Sequence, residues 1–154
     1  GGTKSETLEK EGKPAACNVT RPMTDKNNNN FSCSGLKTAV FEESKKTKEI
    51  SSSQKADIAA SCQAAVADTL LFKTRSALQE TGLKELVIGG GVASNKYIRE
   101  ILVAGLSDKN IFFPPIARCT DNGAMIAYAG SYYLNKADKN LSLNIKPRWP
   151  LSEL

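Results

Sequence analysis

The sequence predicts an α/β fold, and three features carry that prediction. A continuously apolar triplet, Leu86-Val87-Ile88, runs into Gly89-Gly90-Gly91, with a helical stretch directly behind it. A second triplet, Ile111-Phe112-Phe113, is stopped by Pro114-Pro115 and also leads into a helix. Ahead of both, residues 54–78 carry apolar side chains at steps of three and four. Strand, glycine loop, helix, strand, loop, helix is the order of an α/β layer.

The size and composition fit that class. The chain has 154 residues, one domain or half of a two-domain enzyme. Apolar residues make up 40% and charged residues 24%. Lys and Arg number 21 against 16 Asp and Glu, a net charge of +5, which is too weak to argue for nucleic acid by itself. Collagen, coiled coil and disulfide-dense scaffolds are excluded by composition. No apolar run approaches the ~18 residues of a membrane span. The opening residues have no apolar core, so no signal peptide is expected. The chain starts Gly1-Gly2-Thr3 rather than with Met, which reads as a processed, tagged or partial chain. It contains no His. A Ser-His-Asp triad, an HExxH zinc site and a His general base are therefore excluded for this chain alone. Cys17, Cys33, Cys62 and Cys119 form no CxxC pair, so a zinc ribbon is not expected and reduced, cytosol-type thiols are.

Taken in order, residues 1–30 read as a polar, loop-rich segment. A short helix over 3–11 has Leu8 as its one large apolar residue, and Pro14, Pro22 and the four asparagines at 27–30 oppose regular structure. Phe31-Ser32-Cys33 reads as a short strand. A helix begins at Ser34 or Gly35 with Leu36, Ala39 and Val40 on one face, and the charged, Ser-rich stretch 43–53 reads as a linker. Residues 54–78 form the clearest helix, with Ile58, Cys62, Val66, Thr69 and Leu70 in its stripe, serines 51–53 as N-caps and Gly82 as C-cap. The strand 86–88 reads as buried on both faces, as in a parallel sheet. Ser94 is expected to cap a second helix whose inner face is Ile98, Ile101, Leu102 and Leu106. After the strand 111–113, Thr120 or Asp121 starts a third helix over 122–135, rich in small residues that permit close packing. The tail after Lys139 reads as extended.

Three segments carry chemistry. In Gly89-Gly90-Gly91-Val92-Ala93-Ser94-Asn95, the glycines let backbone approach an anion, and the N–H groups and dipole of the following helix favour phosphate. The same pattern is equally a tight strand-to-helix turn that needs positive φ, and it matches neither a Walker motif nor GxGxxG. Asn95 adds a neutral donor and acceptor at the helix start. In Arg118-Cys119-Thr120-Asp121-Asn122-Gly123, a carboxylate at a helix start serves as an N-cap or as a ligand for a metal or metal-bound phosphate. If both loops sit at the carboxyl ends of neighbouring parallel strands, Asn95 and Asp121 face one crevice. The stretch from Ser32 through Lys37 reads as a cap or as an anion site. The lysine clusters near 45–48 and 136–148 have no aromatic platform beside them, which argues against single-strand readout of the OB or RRM kind.

Taken together, Arg21-Pro22-Met23-Thr24-Asp25, Phe31-Ser32-Cys33-Ser34-Gly35-Leu36-Lys37-Thr38, Asp57-Ile58-Ala59, Gly90-Gly91-Val92-Ala93-Ser94-Asn95, the run from Cys119 to Gly130, and Arg148-Trp149-Pro150-Leu151 occur in one order. That series closely resembles the C-terminal half of the bacterial tRNA threonylcarbamoyladenosine synthase family (TsaD, long labelled a glycoprotease or O-sialoglycoprotein endopeptidase), and the resemblance covers essentially the whole chain.

The resemblance implies a ribonuclease H-like lobe of the actin-like, sugar kinase and Hsp70 ATPase fold, a mixed sheet with helices packed on it. Residues 31–154 would be the second lobe, and the N-terminal lobe would lie outside this chain. It implies transfer of threonylcarbamoyl from threonylcarbamoyl-adenylate to the adenosine beside the anticodon, in tRNAs reading codons that begin with A. It implies iron or zinc, an adenylate or ATP/ADP ligand, and as partners tRNA, an inactive paralogue (TsaB) and a small ATPase (TsaE), in the cytoplasm. By position, Asp121 matches a metal ligand, Asn95 and Gly2 match adenylate contacts, and Gly90 and Gly91 lie in the phosphate-facing loop. The family's other metal ligands are histidines of the first lobe. Cys33 stands where the family usually has Phe, which should loosen packing, and the asparagine run replaces a Pro-Gly-containing loop. An isolated lobe is expected to be inactive and to self-associate. The alternative is a non-catalytic nucleotide-binding or assembly module of the same fold. The peptidase label lacks a basis in a chain with no HExxH and no His.

Overall fold

The computed structural model describes residues 11–21, 24, 28–45, 50–136 and 150. Gly1–Thr120 and Asp121–Leu154 are two compact units. The described residues form four helices and a small parallel sheet: α1 (Cys33–Lys45), α2 (Ser52–Thr81), β1 (Glu85–Val87), α3 (Lys96–Gly105), β2 (Asn110–Phe112) and α4 (Gly123–Ser131).

α2 runs for 30 residues because both ends are closed and nothing interrupts it. Ser51 and Gln54 form a reciprocal capping box, and Gly82, at φ 70°, ends the helix in the left-handed region. The predicted caps and span agree with the structure. Its most deeply buried face differs from the predicted stripe. Ala56, Ala60, Ala64, Ala65 and Ala67 are buried, with Ser61, Thr69, Lys73 and Leu78, while Ile58, Cys62, Val66 and Leu70 are half-buried. Alanines bring neighbouring backbone close. A Cβ on Gly12 would sit 2.0 Å from the Ala56 carbonyl oxygen, so no larger residue fits that crossing.

The described part of the loop-rich segment is laid along α2 in register. The Lys13 N–H donates to Asp57 Oδ1 at 2.8 Å, and the Cys17 N–H donates to Ser61 Oγ at 3.1 Å. The Arg21 guanidinium grips Asp68, Lys73 Nζ donates to the Asn28 carbonyl at 2.5 Å, and Asn29 Nδ2 donates to Glu80 at 2.7 Å. The anchors ascend both segments together. Lys73 is only 1% exposed, and a buried ammonium needs such a partner. Val19 is buried within this segment, which straps α2.

At α1 the structure overturns the expected strand 31–33 and the late helix start. The helix begins at Cys33, because Ser32 is available as its cap: Gly35 N–H donates to Ser32 Oγ at 3.2 Å. Of the two readings of that stretch, the structure shows the cap. α1 continues to Lys45, so the charged stretch read as a linker starts inside a helix.

β1 and β2 pair in parallel, Glu85 with Asn110, Leu86 with Ile111 and Val87 with Phe112. Each strand lies one residue earlier than expected. Leu86, Ile88, Ile111 and Phe113 face the core of Ala67, Leu78, Ile98, Leu102 and Leu106. The predicted inner face of α3 is therefore correct. Burial of the first strand on both faces is not: Val87 is 77% exposed, and Phe112 of β2 is 51% exposed beside it. Two strands covered by α2 and α3 on one side leave the alternate side chains bare.

In the second unit, α4 is shorter than the predicted helix over 122–135; a 3-10 turn, Leu134–Lys136, follows it. The cap is Asn122, whose Oδ1 accepts from Met125 N–H at 3.0 Å, rather than Thr120 or Asp121. Met125, Ile126, Tyr128, Tyr132, Tyr133 and Leu134 are exposed. Tyr128 and Tyr132 meet edge to face with their hydroxyls 2.7 Å apart. That hydrogen bond raises the pKa of the Tyr132 hydroxyl above the usual tyrosine value. Apart from Pro150, the tail after Lys139 lies outside the described residues, as do residues 3–10 of the expected short helix.

Leu102→Ala is expected to destabilise the first unit by about 2–4 kcal/mol through the cavity it leaves, whereas Val103→Ala, at a half-exposed neighbour, should shift it by less than ~0.5 kcal/mol. Urea unfolding followed by circular dichroism reads both.

Candidate functional site

The site is built where β1 ends. Ile88 N–H donates to the Phe112 carbonyl at 3.0 Å, holding the chain to the sheet for one residue more. Gly90 then takes φ 90°, a conformation that side chains rarely adopt. Gly91–Ser94 form a 3-10 turn, closed by Ala93 N–H to the Gly90 carbonyl at 3.0 Å and Asn95 N–H to the Val92 carbonyl at 3.1 Å. Ser94 Oγ donates back to the Gly91 carbonyl at 2.7 Å. Ser94 is thus spent inside the turn, and the expected cap shifts by one residue. Asn95 caps α3, its Oδ1 accepting from Ile98 N–H at 3.0 Å.

That arrangement fixes the Asn95 side chain. Oδ1 points at the helix, so the Nδ2 amide is the donor it offers to a ligand. The first turn of α3 leaves further N–H groups without intrahelical partners, with the helix dipole behind them. Gly90 and Gly91 are exposed, and a Cβ at Gly90 would meet nothing within 4 Å. The glycines here serve backbone conformation and open access rather than tight packing. The loop carries no cation of its own between Gly89 and Asn95. An anion placed there is met by backbone dipoles and one amide.

The second loop follows β2. Pro114 and Pro115 lead into a 3-10 turn, Ile116–Arg118, and then buried Cys119, 4% exposed. One side chain joins the two loops. Arg99, one turn into α3, donates through Nε to the Ala93 carbonyl at 2.5 Å. Through Nη2 it donates to the Pro114 carbonyl at 2.7 Å and to Cys119 Sγ at 3.2 Å. Its guanidinium lies 4.7 Å from the centre of the Phe113 ring. The one available signal was its spacing, four residues after a capping Asn, which puts it back over the helix start.

Asp121 is exposed and opens the second unit. Asn122 takes the capping role there, which leaves the Asp121 carboxylate outside the cap. Gly2 lies outside the described residues. For zinc or iron the donor set falls short. The chain has no His, and among the described residues no three His, Cys, Asp or Glu side chains form a metal-holding group. One carboxylate does not hold a transition metal, so the residues present do not fit such an ion on their own. Among the described residues no helix is long and apolar enough to cross a membrane.

The chain matches the family model TsaD, tRNA N6-adenosine threonylcarbamoyltransferase, over residues 1–128. It is 41% identical over 160 residues to a protein of that name from Variovorax paradoxus (strain S110), covering 100% of this chain and 46% of the relative. A namesake from Herminiimonas arsenicoxydans is 43% identical over 161 residues, covering 100% and 47%. One from Neisseria meningitidis is 38% identical over 174 residues, covering 100% and 49%. The chain spans about half the length of the curated relatives it matches.

Asn95→Ala should cost about 1 kcal/mol of stability through the lost cap, while Asn95→Asp, an equally good cap, should stay within ~0.5 kcal/mol of the unsubstituted chain. Urea unfolding of the three proteins separates the cap from the amide that the aspartate lacks.

Proposed function

The chain belongs to the TsaD family, tRNA N6-adenosine threonylcarbamoyltransferase, and from that premise we propose that it forms the second, adenylate-binding lobe of such an enzyme. The observation that carries this reading is the loop itself. A strand runs into a positive-φ glycine, a 3-10 turn and a helix capped by Asn95, which is the form an anion site built from backbone dipoles takes.

In this reading Gly90 and Gly91 face the phosphate of threonylcarbamoyl-adenylate or of ATP/ADP. Asn95 Nδ2 donates to the adenylate, and Gly2 is a further contact. Residues 31–154 are assigned to a ribonuclease H-like lobe of the actin-like fold, with the polar segment 1–30 ahead of it. The lobe works with a partner lobe outside this chain, so alone it is inactive. Asp121 is the one carboxylate this chain contributes toward zinc or iron. The acceptor is the adenosine beside the anticodon of tRNAs reading codons that begin with A. A paralogue of the same fold (TsaB) and a small ATPase (TsaE) are its protein partners, in the cytoplasm. The bare face of the sheet at Val87 and Phe112 supports self-association of the chain when it is alone.

Two outcomes are expected. The chain alone forms no threonylcarbamoyladenosine on tRNA, whereas the full-length protein with its partners does, and Asp121→Ala in it lowers activity and bound metal by about 100-fold or more. Full activity in that variant would point instead to the non-catalytic module. In light scattering, the mass of the isolated chain should rise with concentration; a monodisperse monomer at high concentration overturns the self-association.

A further inference from the structure

We propose that Arg99 is a positioning residue that sets the spacing between the glycine loop and the Pro114–Cys119 loop, so that the two edges of the site move as one body. This rests on the reading of these loops as the adenylate-facing edge of the sheet.

One planar group is bonded to both loops at once. Nε holds the Ala93 carbonyl inside the 3-10 turn, and Nη2 holds the Pro114 carbonyl and Cys119 Sγ on the other side. Cys119 is buried, and its sulfur also contacts the Pro114 and Pro115 carbonyls, so the clasp and the turn it closes share one interior. Phe113 lies under the guanidinium and faces the hydrophobic core, which fixes the plane of the fork. Neither loop has a regular ladder beyond Ile88 and Phe112 to hold it. A lysine reaches one carbonyl as a point donor; only a guanidinium presents two divergent N–H directions in a rigid plane. The charge on Arg99 is spent on carbonyls and a thiol, so its role differs from that of a cation that touches the ligand directly.

The test compares the unsubstituted chain with Arg99→Lys and Arg99→Met by site-resolved hydrogen exchange and by mass-resolved alkylation of Cys119. Arg99→Lys keeps the charge and loses the fork. Loss of these charge-assisted bonds should raise exchange about tenfold in 91–95 and in 116–119 together, with Cys119 alkylation rising about as much. The middle of α2 should stay within about twofold in both variants, which certifies that they are folded. Arg99→Lys behaving like the unsubstituted chain, one loop responding without the other, or α2 rising equally would each overturn the proposal. AMP is added as a separate probe. Protection of 90–95 by AMP that Arg99→Lys weakens supports the role at the site. No AMP protection in the unsubstituted chain, with the paired loop response intact, overturns the adenylate reading and leaves the coupling of the loops established.

Discussion

The first unit depends on one helix being thin. The buried positions of α2 are mostly alanine, and a helix of small side chains can be approached closely from several sides. The strap crosses it at Gly12 against the Ala56 carbonyl, and Ala67 sits in the core with the inner face of α3. Bulkier residues at these positions would push each neighbour outward, and an overpacked core is as unfavourable as a hollow one. The polar groups of α2 then become specific anchors. Asp57, Ser61, Asp68, Lys73 and Glu80 take the strap one after another. Lys73 is the most constraining of them, because its ammonium is buried and must keep the Asn28 carbonyl.

How much of this was legible in the sequence follows from how local each signal is. The caps of α2 and the inner face of α3 depend on residues within a turn of one another, so Ser51, among the serines 51–53, and Gly82, and Ile98, Leu102 and Leu106, could be read directly. Where two neighbouring residues could each perform the same task, the reading slipped by one. Ser94 and Asn95 are both good caps, and the structure uses Ser94 inside the 3-10 turn. Thr120, Asp121 and Asn122 offer the same choice, and Asn122 takes it. Phe31-Ser32-Cys33 has strand-like composition, but Ser32 supplies a cap and the helix starts behind it.

What was not legible is non-local. Nothing in a polar segment announces that its carbonyls and N–H groups lie in register along a helix more than forty positions away. Arg99 is a similar case, since its partners Ala93, Pro114 and Cys119 become neighbours only once β1 and β2 pair in parallel. The bare outer face of the sheet, too, follows from how many strands and layers are present, which no alternation within three residues can reveal. The site was therefore visible as a loop, and its support was not.

On the proposed reading, the chemistry of that loop suits a lobe that must hold one small anion in the presence of a polyanion. A lysine in the glycine loop would attract any phosphate, including those of a tRNA backbone, through an unscreened point charge. Here the loop has no cation between Gly89 and Asn95; Lys96 follows at the first position of α3, and Arg99 is turned onto two carbonyls and a thiol. Within the loop itself, anion recognition is left to N–H groups whose directions are fixed by Gly90, the 3-10 turn and the Asn95 cap. Such donors act only at short range and in the right geometry, so on the proposed reading they select the adenylate by shape as much as by charge. A site that recognises by geometry must keep that geometry, and this is why its rigidity rests on a side chain that need not touch the ligand.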